Sequence, residues 1–350
     1  MAFSSAELAN IANAALDYYI DQGNVYANTL ADKPLLNLMD GKAKTFPGGK
    51  SDLSVAVKGV YTTQVAGYTH NDTVAYANPA NIQRANYAWK EHHSGISVTL
   101  TELKKDGISV TDSTTSNSVT NHSGRDKTVL VNLFQDKLDD MLEGYSRGMN
   151  DLLYGDGTAD ANALAGIRSI IVDDPTATGT TVGGLSTVTN TWWRNRANVA
   201  ISTTATGQEL IETLHSEMRQ LKRFGGKPDI AVCGSLFLDR LADELRRNGN
   251  YSNTGFSGNQ NIAVGEINYN GLKFVYDPAL DDLTISGKNP DKRCYIIDSS
   301  KLCMYYMDGE KMKRHSPARP ATQYVMFRAI TTTASLAAFQ LNCHGVYEIS

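Results

Sequence analysis

The sequence predicts an α+β protein whose helices and strands are partly segregated along the chain. Three observations carry that expectation. An apolar stripe at helical spacing runs through Val129, Leu130, Leu133, Phe134, Leu138, Met141, Leu142, Tyr145, Met149, Leu152 and Leu153. Residues 52–61 and 86–103 instead alternate, imperfectly, between apolar and polar side chains, as half-exposed strands do. Strand signals then dominate the end of the chain, at 272–276, 294–297, 302–307 and 324–347.

Taken in order, the chain opens on a capping box, Ser4 with Glu7, followed by Leu8, Ile11, Ala12, Ala15 and Tyr19 at helical spacing. That short amphipathic helix stops near Gly23. Pro34, Gly41, Pro47, Gly48 and Gly49 punctuate the polar stretch that follows, which reads as an extended arm with little core of its own. Leu53, Val55, Val57 and Val60 mark one long strand; Tyr87, Trp89, Ile96, Val98 and Leu100 mark a second. Residues 62–84 between them are polar and rich in Asn, Thr and Ala, so the pair predicts a long projecting hairpin, marginal in stability by itself.

A Ser/Thr/Asn loop at 111–124 precedes the long stripe. A helix over 126–154 would be ~43 Å long, far above the usual helix of about 11–12 residues. Gly144 and Gly148 each weaken it by ~1 kcal/mol, which predicts a bend or a close backbone contact near Tyr145. Residues 206–250 read helix, strand, helix: Leu210, Ile211, Leu214, Met218 and Leu221, then the apolar run 230–233, then Leu236, Phe237, Leu241 and Leu245 ending at Gly249.

With 350 residues, 41% of them hydrophobic and 20% charged, the chain has room for two or three domains. Collagen-like, coiled-coil and wholly disordered classes are excluded. Lys and Arg number 33 against 37 Asp and Glu, a net charge of −4, so no basic excess supports sequence-specific DNA binding. No apolar run reaches the ~18–20 residues of a membrane span, and residues 1–20 lack a basic start and an apolar core. A soluble, unexported protein is expected, with Cys233, Cys294, Cys303 and Cys343 reduced.

Catalytic patterns fail one by one. Gly48-Gly49-Lys50-Ser51 resembles the end of a phosphate-binding loop, but Lys44 stands where that motif needs its first glycine. A turn is expected there. Adjacent His92 and His93 would point to opposite faces of a strand. Cys294, Cys303, His315 and His344 are zinc-ligand types without zinc-ligand spacing. The carboxylate pairs Asp139-Asp140, Asp173-Asp174 and Asp281-Asp282 have nothing converging on them. No catalytic, cofactor or metal residue is therefore assigned. Trp192-Trp193, followed by Arg194, Asn195 and Arg196, is an interface anchor, a platform for stacking a nucleic-acid base, against which the net negative charge argues, or a core tryptophan beside a loop.

The order of segments resembles the major capsid protein of tailed bacteriophages, with the Hong Kong 97-type fold, over nearly the whole chain. The most particular pieces are Tyr154-Gly155-Asp156-Gly157, Gly166-Ile167-Arg168-Ser169-Ile170-Ile171, Gly183-Gly184-Leu185, and Asn190-Thr191-Trp192-Trp193-Arg194-Asn195. The resemblance implies an N-terminal arm at 1–45 and an extended E-loop region at 46–104. It implies a P-domain at 105–199 with a spine helix at 126–154, an A-domain at 200–310, and P-domain return strands at 311–350. The implied function is structural, not enzymatic: self-assembly into pentamers and hexamers of an icosahedral shell around double-stranded DNA, in the virion, built in bacterial cytoplasm. Implied partners are the chain itself, a separate scaffolding protein because the arm begins almost at Met1, a portal protein, in some members a decoration protein, and packaged DNA held non-specifically; no membrane and no cofactor are implied. Some members crosslink Lys to Asn; Lys50, Lys58 and Lys90 fall in the hairpin region, and no pattern singles one out. Two alternatives stand beside this reading: a cellular nanocompartment shell of the encapsulin kind enclosing a cargo enzyme, and a metal- or carboxylate-dependent enzyme.

Overall fold

The computed structural model describes residues 3–4, 33–74, 76, 78, 81–105, 110–111, 124–203, 207–247, 266–285, 287–316 and 325–350. The opening helix expected over Ser4 to Tyr19 falls outside them apart from Phe3 and Ser4, which pair in parallel with Val110 and Thr111. Most of the 111–124 loop and the side chains of Val129 to Phe134 also lie outside the described residues.

The elements follow in chain order: α1 Pro34–Gly41, β1 Lys44–Phe46, β2 Asp52–Val57, β3 Gln83–Ala88, β4 Lys90–Thr99, α2 Leu100–Lys105, α3 Gly124–Leu153 and α4 Ile167–Ile170. After the short strands β5 Thr181–Val182 and β6 Leu185–Ser186 come β7 Arg196–Ile201, α5 Glu209–Lys222, β8 Ile230–Cys233 and α6 Ser235–Arg247. The chain ends through β9 Glu266–Tyr269, β10 Leu272–Tyr276, α7 Pro278–Asp282, β11 Arg293–Ile297, β12 Leu302–Met307, β13 Lys313–His315, β14 Val325–Ala338 and β15 Gly345–Ile349.

Two sheets organise these elements. One has six strands in the order β9-β10-β8-β11-β15-β7. Alternation splits its side chains between two cores. Ala231, Cys233, Phe274, Cys294 and Ile296 face α5 and α6, whose Leu210, Leu214, Met218, Phe237 and Leu241 share their cluster. Val232, Tyr295, Ile297 and Val346 belong to the larger cluster on the other side, with α3. The second sheet is built on β14, which pairs antiparallel with β4 along ten residues and, on its other edge, with β12 and β13. β1 adds to β12 in parallel.

The helix α3 is continuous for 30 residues, about 45 Å at the usual rise. Leu138, Met141, Leu142, Tyr145, Met149 and Leu153 form its buried stripe, and Tyr145 Oη lies 2.8 Å from Thr332 Oγ1 of β14. Of the bend or close contact expected at Gly144 and Gly148, the close contact is absent among the described residues: an added Cβ at either would meet nothing within 4 Å.

Three further expectations are revised. The arm, expected to have little core of its own, does contribute to the core beyond residue 33: Pro34 starts α1 in the first turn, where a missing N–H is harmless, and Leu35, Leu36 and Met39 are fully buried. The strand expected at 86–103 divides at Trp89, so that β3 pairs with β2 while β4 crosses to β14. It ends at a second capping box, in which Thr99 and Glu102 exchange side-chain bonds to each other's backbone N–H at 3.2 and 3.0 Å. The return at 311–350 serves both sheets: after β14, a turn at 339–344 carries β15 into the six-stranded sheet between β11 and β7. β12 pairs with β14 and completes the sheet that packs on α3.

Candidate assembly surface

The hairpin of β2 and β3 has two unlike parts. Its base is regular, in register from Asp52 opposite Ala88 to Val57 opposite Gln83. Leu53, Val55, Val57, Ala85 and Tyr87 face inward and are buried. Tyr87 O–H donates to Ala338 O at 3.2 Å, and Asn86 N–H donates to Gly183 O at 2.9 Å. Gly183 needs to be glycine twice over: its φ is +59°, and a Cβ would lie 2.9 Å from that of Ala85.

The ladder stops at Val57. Two residues on, Gly59 lies against Trp192 so closely that any Cβ would collide with the indole. Trp192 meets Trp193 edge-on at 5.8 Å, and Trp193 is buried with its Nε1–H donating to Val182 O at 3.1 Å. The tryptophan pair thus resolves into a core anchor, Trp193, and a support for the root of the projection, Trp192.

Beyond that root, the described residues of 58–82 leave the core. Val60, Tyr61, Val65, Tyr68, Val74, Tyr76 and Ile82 are exposed, Tyr61 by 76% and Tyr76 by 93%. The hydrogen bonds here are local. Asn81 Nδ2 donates to Val60 O at 2.9 Å across the neck. Near the tip, Asp72 Oδ2 accepts from Thr69 N and Oγ1 at 2.8 and 2.9 Å. The backbone N–H and then the hydroxyl of Thr69 hold the Asp72 carboxyl below its ordinary range. Large apolar side chains gathered on one protruding segment are the mark of a contact surface. Polar composition made the projection legible in the sequence; its tyrosines and valines were the signal of contact that composition concealed.

The residues weighed for chemistry are scattered over the described structure. Gly48 and Gly49 have φ of +86° and +88°, a turn into β2. His92 and His93 alternate on β4, the first half-buried and the second exposed, and burial lowers the His92 pKa. Cys303 lies on β12 and His315 on β13, while His344 sits in the turn before β15, fully buried, its Nδ1 accepting Asp298 N–H at 3.2 Å. Among the described residues, no three His, Cys, Asp or Glu side chains group as a metal site. Asp139 and Asp140 lie on α3. Asp281 accepts from Ser235 N–H and Tyr276 O–H. Asp173 receives a two-pronged bond from fully buried Arg293 at 3.0 Å and an ion pair from Lys288 at 2.7 Å. Burial would raise the Asp173 carboxyl, but these cations outweigh it and hold it low.

Two open grooves flank the body. One of 1030 Å³ lies between α1, α3 and β10, where Asp277 caps α7 and accepts Tyr154 O–H at 2.7 Å; burial pushes the Asp277 carboxyl up. The other, 970 Å³, runs beneath the root of the projection past Trp192 and Phe224.

No family model matches the chain, and no curated protein matches it by sequence. Solved structures do match by shape. A subunit of the cyanophage A-1(L) capsid asymmetric unit superposes with a TM-score of 0.60 at 15% identity, covering 90% of this chain and 92% of the other. A protein of Gordonia phage Cozz gives 0.53 at 12% identity, over 90% and 86%. The capsid of a native GTA particle gives 0.51 at 12% identity, over 90% of both chains. At these identities the likeness is one of fold: the α+β architecture here is the Hong Kong 97-type fold of phage capsid subunits, nearly end to end.

Proposed function

We propose that this chain is the major capsid protein of a tailed bacteriophage, a structural subunit that closes into an icosahedral shell of pentamers and hexamers around double-stranded DNA. The observation that carries the proposal is the match to capsid subunits over about nine-tenths of both chains. The exposed apolar projection supports it, because a monomer has no use for tyrosines held in water, whereas a neighbouring subunit would cover them.

In this reading residues 46–104 are the E-loop region and α3 is the spine of the P-domain, with the sheet on β14 behind it. The six-stranded sheet with α5 and α6 forms the A-domain, to which β15 returns. A net charge of −4 suits a wall that holds packaged DNA without gripping it. A shell that fills with DNA also needs an entrance and a guide to curvature, so portal and scaffolding proteins are proposed partners, and the virion the proposed location. The proposed role is structural, and we assign no enzymatic one.

Electron microscopy of the protein expressed in bacteria, alone and with its neighbouring phage genes, tests this. Closed shells or capsomer rings are expected, with DNA inside native particles. A protein that stays monomeric in both settings would overturn the shell reading, and native shells filled with a cargo enzyme instead of DNA would overturn the viral one.

A further inference from the structure

All four cysteines are buried and free, and two of them face each other. β8 and β11 run antiparallel with Cys233 directly opposite Cys294. The adjoining pair is hydrogen-bonded, Gly234 N–H donating to Arg293 O at 2.9 Å. Bonded and non-bonded positions alternate along such a ladder, so the cysteines occupy the closer, non-bonded kind, with Cα atoms roughly 4.5 Å apart. Disulfides bridge Cα separations of about 4.4–6.8 Å. Residues directly opposite project from the same face, and both cysteines line the cluster beneath α5 and α6. Burial, and then the hydrogen bond between the two thiols, push Cys233 well above the ordinary thiol range. Cys233 Sγ also lies 3.9 Å from Ala231 O; of the other two cysteines, Cys303 Sγ lies 3.8 Å from Ser299 O and Cys343 Sγ 3.3 Å from Gln340 O.

We propose that Cys233 and Cys294 are the site of a reversible cross-strand disulfide, closed by exchange with a small-molecule disulfide. One cysteine thiolate attacks a sulfur of the oxidant, breaking its S–S bond and expelling one thiolate as a mixed disulfide forms. The second cysteine then attacks the protein-bound sulfur, forming the Cys233–Cys294 bond and expelling the other thiolate. Two protein thiols lose two electrons and two protons, and one small disulfide is reduced to two thiols. In reducing cytoplasm the pair stays a dithiol. With no exposed surface and little thiolate, it reacts only when the sheet opens locally. Once formed, the bond joins two central strands of the six-stranded sheet and closes the chain between them into a loop. This site stands independently of the shell reading.

The test uses the reduced full-length chain incubated with oxidised glutathione, with and without urea below the unfolding midpoint. Remaining thiols are alkylated in denaturant without reductant, and peptides are mapped by mass spectrometry. The expected product carries one peptide linking Cys233 to Cys294, alkyl groups on Cys303 and Cys343, and forms faster in urea. Its melting temperature should rise by several degrees and fall back on reduction. A Cys294→Ala variant should instead stop at a glutathione adduct on Cys233. Four alkylated cysteines after oxidation in urea, a linkage through Cys303 or Cys343, or a persistent glutathione adduct in the parent chain would each overturn the proposal.

Discussion

The base of the β2–β3 hairpin and the segment it carries belong to one excursion of the chain, yet they obey opposite rules. At the base, Leu53, Val55, Val57, Ala85 and Tyr87 alternate inward and reach the same cluster as α3 and β14. In the projection, Tyr61, Tyr68, Tyr76 and Ile82 are as apolar yet stay exposed, with only local contacts such as Lys58 over the Tyr61 ring and His70 against Tyr68. The difference is one of partners rather than composition. The changeover falls at Gly59, where Trp192 pins the chain before it leaves the body. Substitutions in the framework should therefore cost stability, and changes beyond Gly59 should cost assembly alone.

The largest effect is expected from α3. Leu142 is 2% exposed in the shared cluster, so Leu142→Ala should destabilise by about 2–5 kcal/mol, read as a lower midpoint in chemical denaturation. Unchanged stability would remove α3 from the framework side of the comparison.

His344 tests the framework by pH. Burial lowers its pKa from 6.5 to about 4, against the weaker opposing pull of Asp298 and Asp229. A folded-state pKa below the unfolded one means that unfolding takes up a proton. The stability it contributes is complete above pH 6.5 and is lost as pH falls toward 4, about 3 kcal/mol in all. Denaturation midpoints measured across that window should fall more steeply for the parent than for His344→Gln, and parallel curves would show that the imidazole does not carry the slope.

Tyr87→Phe probes the hairpin base more gently. It leaves the ring in place but strips Ala338 O of a buried donor, at a cost of about 1–2 kcal/mol. An effect within error would mean that the base is held by packing alone.

Periodic segments were legible in the sequence because side-chain spacing alone dictates them. The stripe of α3, the α5 repeat and the runs at 230–233, 272–276 and 302–307 all fall where their patterns placed them. What was hidden depended on contacts distant in sequence. Pro34 reads as a breaker until Leu35, Leu36 and Met39 are seen to meet α3 and the sheets. Trp89 reads as mid-strand, although β3 and β4 pair with different partners on its two sides. The crossing of β15 into the six-stranded sheet has no local signal, since strands of either sheet are equally apolar. At the assembly surface, the sequence marked a polar excursion but not which of its side chains would stay uncovered, because exposure is decided by what fails to pack nearby.

The smallest effect on folding, and the sharpest form of the comparison, is expected beyond Gly59. Replacing residues 62–80 with a short Gly/Ser turn keeps the root against Trp192 and the Asn81 bond to Val60 O. Closure entropy changes slowly with loop length, so shortening this segment should shift stability by less than about 1 kcal/mol. Tyr68, Val65, Val74 and Tyr76 would be gone, and with them the surface offered to a neighbour. Calorimetry should then show a cooperative transition close to the parent's, while electron microscopy shows no closed shells under conditions in which the parent forms them. Normal shells would make the projection dispensable to assembly, and a broad or lost transition would place it with the framework, erasing the boundary at Gly59.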